Sequence, residues 1–241
     1  VVHTPHVFPF QMEGPPASQN LYVKLERLAA RFCRKIICVS LAERTAALEA
    51  GVVQESKLVV IPNGIRPAGA SHADTSSLRA GLGIPQGTLV VGSVGRLCTQ
   101  KGHKYLVDAA HLMKDRFADA LFVIAGDGEL RPALEEQVRS LHLEGRFHFA
   151  GHVPDPAGLY AMFTVVAFPS LWEGLPYALL ESMAAGRPVV GTSVGGLGEL
   201  LQRENIGIVV PPHDARSLAD ALGTVLANVA MRRRLGIAAE T

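Results

Sequence analysis

Two glutamates in one short segment have a spacing suited to binding a polar ligand. Glu173 and Glu181 are separated by seven residues in the string PSLWEGLPYALLE. Pro176 suits the first turn of a helix, where its missing N–H is not needed, so Glu173 precedes that helix and Glu181 lies about one and a half turns inside it. The residues around Glu181 are apolar, so its carboxylate needs hydrogen-bond donors. Sugar hydroxyls or an arginine would supply them, and the spacing leaves both interpretations open.

Two cations form a second group of residues that could bind a ligand. Arg96 and Lys101 lie in VGRLCTQKG, where an apolar run ends, turns and leads into the next amphipathic stretch. Two cations beside a helix N-terminus favour an anion, because the helix dipole and the free N–H groups add to the side-chain charges. The alternative is a solvated arginine and lysine on a surface loop, and the spacing does not separate the two.

The glycine turns and the cysteines argue against other chemistries. The turn AGDGE at 125–129 lacks the third glycine of a dinucleotide-binding fingerprint, and the cluster GGLG at 195–198 also misses it. Both observations disfavour a nicotinamide dehydrogenase. Cys33, Cys38 and Cys98 match no metal-ligand spacing, so we expect reduced thiols, no metal and a cytoplasmic location.

The composition excludes several classes of protein. The 241 residues carry 23 Lys+Arg and 22 Asp+Glu, so the charge nearly cancels and nucleic acid is not an expected partner. A hydrophobic content of 48% supports a core and argues against disorder. The longest uncharged stretch near the middle, 156–172, is shorter than the roughly 20 residues of a membrane span.

The elements that must position these side chains alternate along the chain. We predict strands at 88–94, 121–125, 147–150, 165–168, 188–191 and 206–210, with helices at 101–114, 129–141, 157–162, 177–185 and 215–228. Each strand is short, apolar and bounded by glycine or proline, as is typical of strands buried on both faces of a parallel sheet. The pattern predicts an α/β fold with a doubly wound sheet, in which ligands bind at the carboxyl ends of the strands.

A shorter α/β set precedes this one. Helices are predicted at 21–32 and 41–50 and strands at 36–39 and 58–61, followed by the linker-like stretch RPAGASHADTSS at 66–77. We therefore divide the chain into a partial domain at 1–65, a linker at 66–80 and a larger domain at 81–241. A piece as small as the first would be marginal alone, so we interpret the chain as a fragment of a longer protein.

Several strings together resemble one family. VIPNGI, VGRLCTQKG, IAGDGEL and PSLWEGLPYALLESMAAGRPVVGTSVGGLGEL occur in the order found in glycosyltransferase family 4, and the resemblance extends over residues 20–235. It implies the GT-B fold, with a nearly complete C-terminal Rossmann-like donor domain and a partial N-terminal Rossmann-like acceptor domain. It also implies a retaining enzyme that uses a nucleoside diphosphate sugar without a metal.

The resemblance assigns roles to the residues singled out above. Arg96 and Lys101 correspond to the cations that hold the donor diphosphate and stabilise its charge as the bond breaks. Glu173 corresponds to the glutamate that contacts the donor sugar, and these three side chains are the expected catalytic group. Glu181 corresponds to the residue that binds the ribose hydroxyls.

Backbone contacts to the donor are also implied by the resemblance. The amides of Gly174 and Leu175 fall where the family's backbone meets the phosphate or the sugar. The loop containing Val153 follows the strand whose end contacts the base. On the acceptor side, His3 and His6 in VHTPH resemble an element that faces the cleft between the domains.

The implied partners are a nucleotide sugar and a hydroxyl acceptor, either saccharide or lipid-linked. The elements HTPH and ERLAAR resemble enzymes of bacterial polysaccharide assembly, which places the reaction in polysaccharide or glycolipid synthesis, in the cytoplasm or at the inner face of the membrane. The run Arg232–Arg234 is interpreted as a solvated helix face, with peripheral membrane contact as the alternative.

One departure from the family keeps a second function open. The family's glycine-rich acceptor loop has no counterpart here, so the alternative is a nucleotide-sugar-binding fragment or pseudo-enzyme without transfer activity. As a fragment, the chain is expected to be inactive in transfer by itself. It should also expose apolar surface on helix 21–32 and place strand 36–39 and its neighbours at an uncovered sheet edge. A phosphorylase or sugar epimerase of the same fold is a further rival, but no pyridoxal-binding lysine context is found.

Overall fold

A computed structural model of the protein describes residues 1–66, 75–154 and 156–240. Strands and helices alternate along the chain and form two parallel sheets. The strands are β1 (Val2–His3), β2 (Lys35–Cys38), β3 (Leu58–Val60), β4 (Val90–Val94), β5 (Leu121–Ala125), β6 (Phe147–Gly151), β7 (Val165–Phe168), β8 (Val189–Thr192) and β9 (Gly207–Val210). The helices are α1 (Pro16–Phe32), α2 (Leu41–Glu49), α3 (Ser76–Gly81), α4 (His103–Leu112), α5 (Arg131–Ser140), α6 (Ala157–Met162), α7 (Tyr177–Ala184), α8 (Gly195–Glu204), α9 (Ala215–Ala227) and α10 (Val229–Glu240).

The larger sheet has six strands in the order β6-β5-β4-β7-β8-β9, and every neighbouring pair is parallel. The predicted doubly wound parallel sheet is confirmed. The chain winds outward in one direction from β4 and in the other from β7. The gap between the carboxyl ends of β4 and β7 is therefore the topological switch point, where open α/β sheets bind their ligands.

Both faces of this sheet are covered, because successive strand residues belong to two different apolar clusters. Val91 and Val165 pack with Leu106 of α4 and Leu222 of α9. Their chain neighbours on the same strands pack instead with residues of α6, α7 and α8, among them Leu179. Burial on both faces explains why these strands are almost wholly apolar in the sequence.

The smaller sheet has three parallel strands in the order β1-β2-β3. Its own apolar cluster includes Phe8, Ile36, Cys38 and Ala47, all fully buried. The expectation that strand 36–39 and its neighbours would lie at an uncovered edge is wrong for β2, which is paired on both sides, whereas β1 and β3 are the edge strands of this sheet.

Helix α1 exposes the apolar surface that the sequence predicts. Leu21, Leu25, Leu28 and Phe32 are exposed by 54%, 51%, 52% and 74%. Their spacing of three or four residues places them on one face of the helix. None of the described helices is both long and apolar enough to cross a membrane.

Two segments differ from the sequence-based expectation. Helix α3 occupies the end of the predicted linker, and residues 67–74 of that linker lie outside the described part of the chain. Helix α8 was not predicted, because glycines at 195, 196 and 198 have poor helix propensity. It forms because its first turn packs closely on the loop after β7: a Cβ on Gly195 would lie 1.8 Å from the Glu173 carbonyl oxygen.

Candidate functional site

The loops that leave β4 and β7 pack against each other at the switch point. The first passes through the one-turn helix Thr99–Lys101 before α4, and the second leads into α7. The Leu171 amide donates to the Gln100 carbonyl over 2.8 Å. A Cβ on Gly102, which has a φ of 61°, would lie 2.0 Å from the Pro169 carbonyl oxygen. This close approach brings Lys101 beside Glu173.

Glu173 is the buried charge at the centre of the site, with only 7% of the residue exposed. Its Oε1 accepts from Lys101 Nζ over 2.5 Å and from Ser170 Oγ over 2.9 Å. Its Oε2 has only a long contact of 3.4 Å with Gln100 Nε2. Three donors therefore fix the carboxylate, and Oε2 retains capacity to accept from a ligand hydroxyl.

The residues after Glu173 present backbone donors. The amides of Gly174 and Leu175 donate to no residue in the described part of the chain. They stand immediately before α7, whose N-cap residue is Pro176. Unpaired N–H groups beside a helix N-terminus make a site for a phosphate or another anion.

A cavity of about 290 Å³ lies over these groups, between the two sheets. Its lining residues are His6, Val7, Asn63, Gln100, Glu173, Gly174, Leu175, Pro176 and Tyr177. Of the two acceptor-side histidines predicted from the sequence, His6 lines this cavity. His3 does not, since its Nε2 lies 3.7 Å from Glu26 Oε2 on α1.

Arg96 lies at a neighbouring cavity of about 280 Å³, lined by Val94–Arg96, Ala125–Asp127, His152 and Val153. Arg96 and Val153, which the resemblance assigns to the diphosphate and the base of the donor, both line this cavity. The guanidinium of Arg96 pairs with Glu129 Oε2 over 3.1 Å, and the Arg96 side chain is 72% exposed.

Glu181 lines neither of these two cavities. Its Oε2 accepts from the hydroxyl of Tyr160 over 2.9 Å, so the required donor is a phenol rather than the arginine considered from the sequence. Burial, followed by the charge and hydrogen bond of Glu181, raises the pKa of Tyr160 above its ordinary value. The phenol therefore stays protonated and donates to the carboxylate.

His103 begins α4 close to Lys101 and is 97% buried, with no partner for Nδ1 among the described residues. Burial, and then the charge of Lys101, lowers the pKa of His103 from 6.5 to about 3. Its imidazole is therefore neutral at physiological pH, so the fixed positive charge on this loop is that of Lys101.

Sequence reasoning missed four side chains that organise the site. Ser170 and Gln100 lie within the strings already singled out, so a search for donors around Glu173 could have found them. Tyr160 lies outside those strings, whereas Asn63 lies within the string VIPNGI but reaches Leu175 across 112 residues of sequence. Local spacing carries no signal for such a contact.

In the described ranges, no group of three or more histidine, cysteine, aspartate or glutamate residues could hold a metal ion.

A doubly wound parallel sheet beside a second parallel sheet, with polar groups at the switch point, defines a protein of the GT-B class. The chain belongs to the glycosyl transferases group 1 family, whose model matches residues 74–241. A second model, described as Glycosyltransferase Family 4, matches residues 1–68. The resemblance inferred from the sequence is confirmed.

Characterised relatives share about a third of the aligned residues. The chain is 31% identical to the UDP-Gal:alpha-D-GlcNAc-diphosphoundecaprenol alpha-1,3-galactosyltransferase of Escherichia coli, over 92% of this chain and 59% of the relative. It is 33% identical to the 2-deoxystreptamine glucosyltransferase of Streptomyces kanamyceticus, over 86% of this chain and 54% of the relative. The chain thus spans little more than half the length of these relatives.

Solved structures confirm the fold. The complex of Anabaena Alr3699/HepE with UDP-glucose superposes with a TM-score of 0.87 at 27% identity, covering 99% of this chain and 66% of that one. The sucrose-phosphate synthase of Thermosynechococcus elongatus superposes with a TM-score of 0.86 at 28% identity, covering 99% of this chain and 61% of that one.

Proposed function

We propose that the chain supplies the donor site of a glycosyltransferase that moves a sugar from a nucleoside diphosphate sugar to a hydroxyl acceptor with retention. The observation that carries this proposal is the arrangement around Glu173. A buried carboxylate held by Lys101 stands next to two amides that donate to no residue in the ranges that the structure describes, at the carboxyl edge of the sheet. A sugar hydroxyl fits the carboxylate and a diphosphate fits the amides and the cation.

The proposed reaction assigns a task to each group. As the bond between the anomeric carbon and the diphosphate oxygen breaks, negative charge grows on the diphosphate, and Lys101 and the amides of Gly174 and Leu175 stabilise it. The diphosphate takes the proton of the acceptor hydroxyl, whose oxygen bonds to the same face of the anomeric carbon. Glu173 accepts a hydrogen bond from a hydroxyl of the sugar and thereby holds the anomeric carbon in place.

Arg96 joins the diphosphate by leaving Glu129. Both members of that pair are more than half exposed, at 72% and 56%, and exposed pairs contribute little. Exchanging the carboxylate for a diphosphate is therefore inexpensive for Arg96. The cavity beside it, with Val153 and His152, takes the nucleoside, and Glu181 accepts from the ribose.

The acceptor side is proposed from the cavity between the sheets. His6 and Tyr177 line it together with Glu173, which suits a saccharide or lipid-linked hydroxyl acceptor entering from the side of the smaller sheet. The setting proposed for this reaction is polysaccharide or glycolipid assembly in the cytoplasm, including the inner face of the membrane. We propose that the reaction needs no metal, since Lys101 and Arg96 supply the positive charge that neutralises the diphosphate.

A binding assay with nucleotide sugars tests the proposal. Thermal shift of the 241-residue chain with UDP-, GDP- and ADP-sugars should identify one that stabilises it, by about 2.7 kcal/mol at 100 times its dissociation constant. Lys101→Met should weaken binding of the nucleoside diphosphate that corresponds to this sugar about tenfold. Lys104→Met also removes one positive charge, but from the exposed face of α4, and should leave this binding unchanged. Lys101→Arg keeps the charge beside Glu173 and controls for folding.

A second candidate function is nucleotide-sugar binding without transfer. A transfer assay on the chain with the preferred donor separates the two functions: multiple turnovers exclude a pure binder, whereas tight donor binding without turnover supports it.

A further inference from the structure

Asn63 connects the smaller sheet to the site through one hydrogen bond. It follows β3, and its Nδ2 donates to the Leu175 carbonyl oxygen over 2.7 Å. A carbonyl oxygen only accepts, so the amide nitrogen and not Oδ1 must face Leu175. Asn63 itself lines the cavity that contains Glu173.

The bonded carbonyl lies at a sensitive point of the loop. Leu175 precedes Pro176, whose φ of −71° and ψ of 134° set the direction in which the chain enters α7. Because proline has no N–H, the Leu175–Pro176 peptide can be anchored only through its carbonyl oxygen. The amides of Gly174 and Leu175, which have no acceptor among the described residues, come directly before this peptide.

Two further segments pack closely against the same loop. A Cβ on Gly174 would lie 1.8 Å from the carbonyl oxygen of His6, so the segment that follows β1 of the smaller sheet also packs tightly on the loop. From the larger sheet, Gly196 at the start of α8 approaches so closely that a Cβ would lie 2.5 Å from the Gly174 carbonyl oxygen. The orientation of the two amides therefore depends on contacts from both sheets.

We propose that Asn63 is a positioning residue that holds the Gly174 and Leu175 amides in the orientation that binds the diphosphate of the donor. The smaller sheet thereby sets the donor affinity of a site that belongs to the larger sheet. This inference rests on the proposed function, because it requires a diphosphate at those amides.

A merely structural role for Asn63 makes a different prediction. If the bond only joined the two sheets, its loss would lower the unfolding temperature and weaken every ligand alike. If Asn63 acts through the amides, its loss must weaken ligands that carry the diphosphate and spare those that lack it. The selectivity of the loss is therefore the decisive measurement.

Calorimetry on the 241-residue chain tests the inference with UDP and uridine, or with the matching pair for the base that binds best. Asn63→Ala should raise the dissociation constant of the diphosphate about fivefold, the loss expected of one hydrogen bond, and leave that of the nucleoside unchanged. Asn20→Ala, on the exposed surface of α1, makes the same substitution away from the cavity and should change neither.

A double variant adds a second test. In a Gly174→Ala background the loop is already displaced by the clash with His6, so adding Asn63→Ala should cause no further loss. An unchanged diphosphate affinity in Asn63→Ala, or equal losses for diphosphate and nucleoside, would overturn the positioning role while leaving the proposed function intact. If the wild-type chain binds no nucleoside diphosphate, the proposed function fails and this inference fails with it.

Discussion

The two cations of the site differ in how firmly the protein holds them. Lys101 is mostly buried and contacts Glu173 over 2.5 Å, whereas Arg96 is exposed and pairs with Glu129. An ammonium has three donors, so Lys101 can keep Glu173 and still bind a phosphate oxygen. At the scale of single residues, we therefore propose a fixed cation that the donor finds in place and a mobile one that joins it.

The two glutamates should have separable effects on ligand binding. Glu181→Gln retains an oxygen that can accept from Tyr160 but weakens the proposed contact with ribose, so affinity for the free nucleotide should fall about fivefold. Glu173→Gln should leave that affinity nearly intact and weaken binding of the nucleotide sugar. Calorimetry with both ligands measures this, and the reverse ranking would contradict the placement of the two side chains.

The buried His103 should make stability depend on pH. Its pKa of about 3 in the folded state lies below the 6.5 of the unfolded chain, so between these values the unfolded state binds more protons. Stability from this residue is complete above about pH 6.5 and is lost as the pH falls, by up to ~1.4 kcal/mol per pH unit. Replacing it with an uncharged residue, His103→Gln, should remove that slope.

Urea unfolding of both proteins between pH 7 and pH 4.5 measures the slope. Glu43 acts in the opposite sense, because burial raises its pKa, but it is present in both proteins and cancels in the difference. Parallel curves for the wild type and His103→Gln would contradict the assignment of a neutral, buried imidazole.

Among the elements, α8 shows how packing overrides helix propensity. Its first residue, Gly195, has a φ of 46° and sits against the Glu173 carbonyl oxygen, where a side chain cannot fit. Gly195→Ala should therefore destabilise the chain by about 2 kcal/mol and weaken donor binding by displacing Glu173.

Gly158 in α6 provides the matched control. A Cβ there meets nothing within 4 Å, so Gly158→Ala should be neutral or stabilise the helix by about 0.4–1 kcal/mol. Thermal unfolding and calorimetry on both variants test the comparison. Equal effects of the two substitutions would show that the contact with Glu173 is unimportant.

The sequence predicted the elements that are defined locally. The strands of the larger sheet are apolar runs between glycines and prolines. They are buried on both faces, so nearly all of their residues must be apolar, and the sequence shows this directly. Strand ends also predicted which edge of the sheet carries Arg96, Lys101 and Glu173. Helix α8 and the hydrogen bond from Asn63 were not predicted, because both depend on contacts with a loop that is distant in the chain. The ion pair between Arg96 and Glu129 was not predicted either, because it joins residues 33 positions apart in the chain.

At the scale of the whole molecule, the exposed face of α1 should govern how the chain behaves in solution. Leu25 and Leu28, each about half exposed, belong to a continuous apolar stripe, and such patches promote association. The double change Leu25→Lys and Leu28→Lys should lower the mass measured by light scattering at high concentration without altering donor affinity. Leu112→Lys, at an exposed leucine on α4, should leave the mass unchanged.

The bonds that build the site join residues far apart in sequence. Lys101 reaches Glu173 across 72 residues and Asn63 reaches Leu175 across 112. During synthesis, the smaller sheet and the first strands of the larger one leave the ribosome before Glu173 is added to the chain. They can therefore begin to fold before the site is able to form. Closing such long loops is also slow in refolding. The ability to bind a donor should therefore return in the last kinetic phase, after most secondary structure has formed.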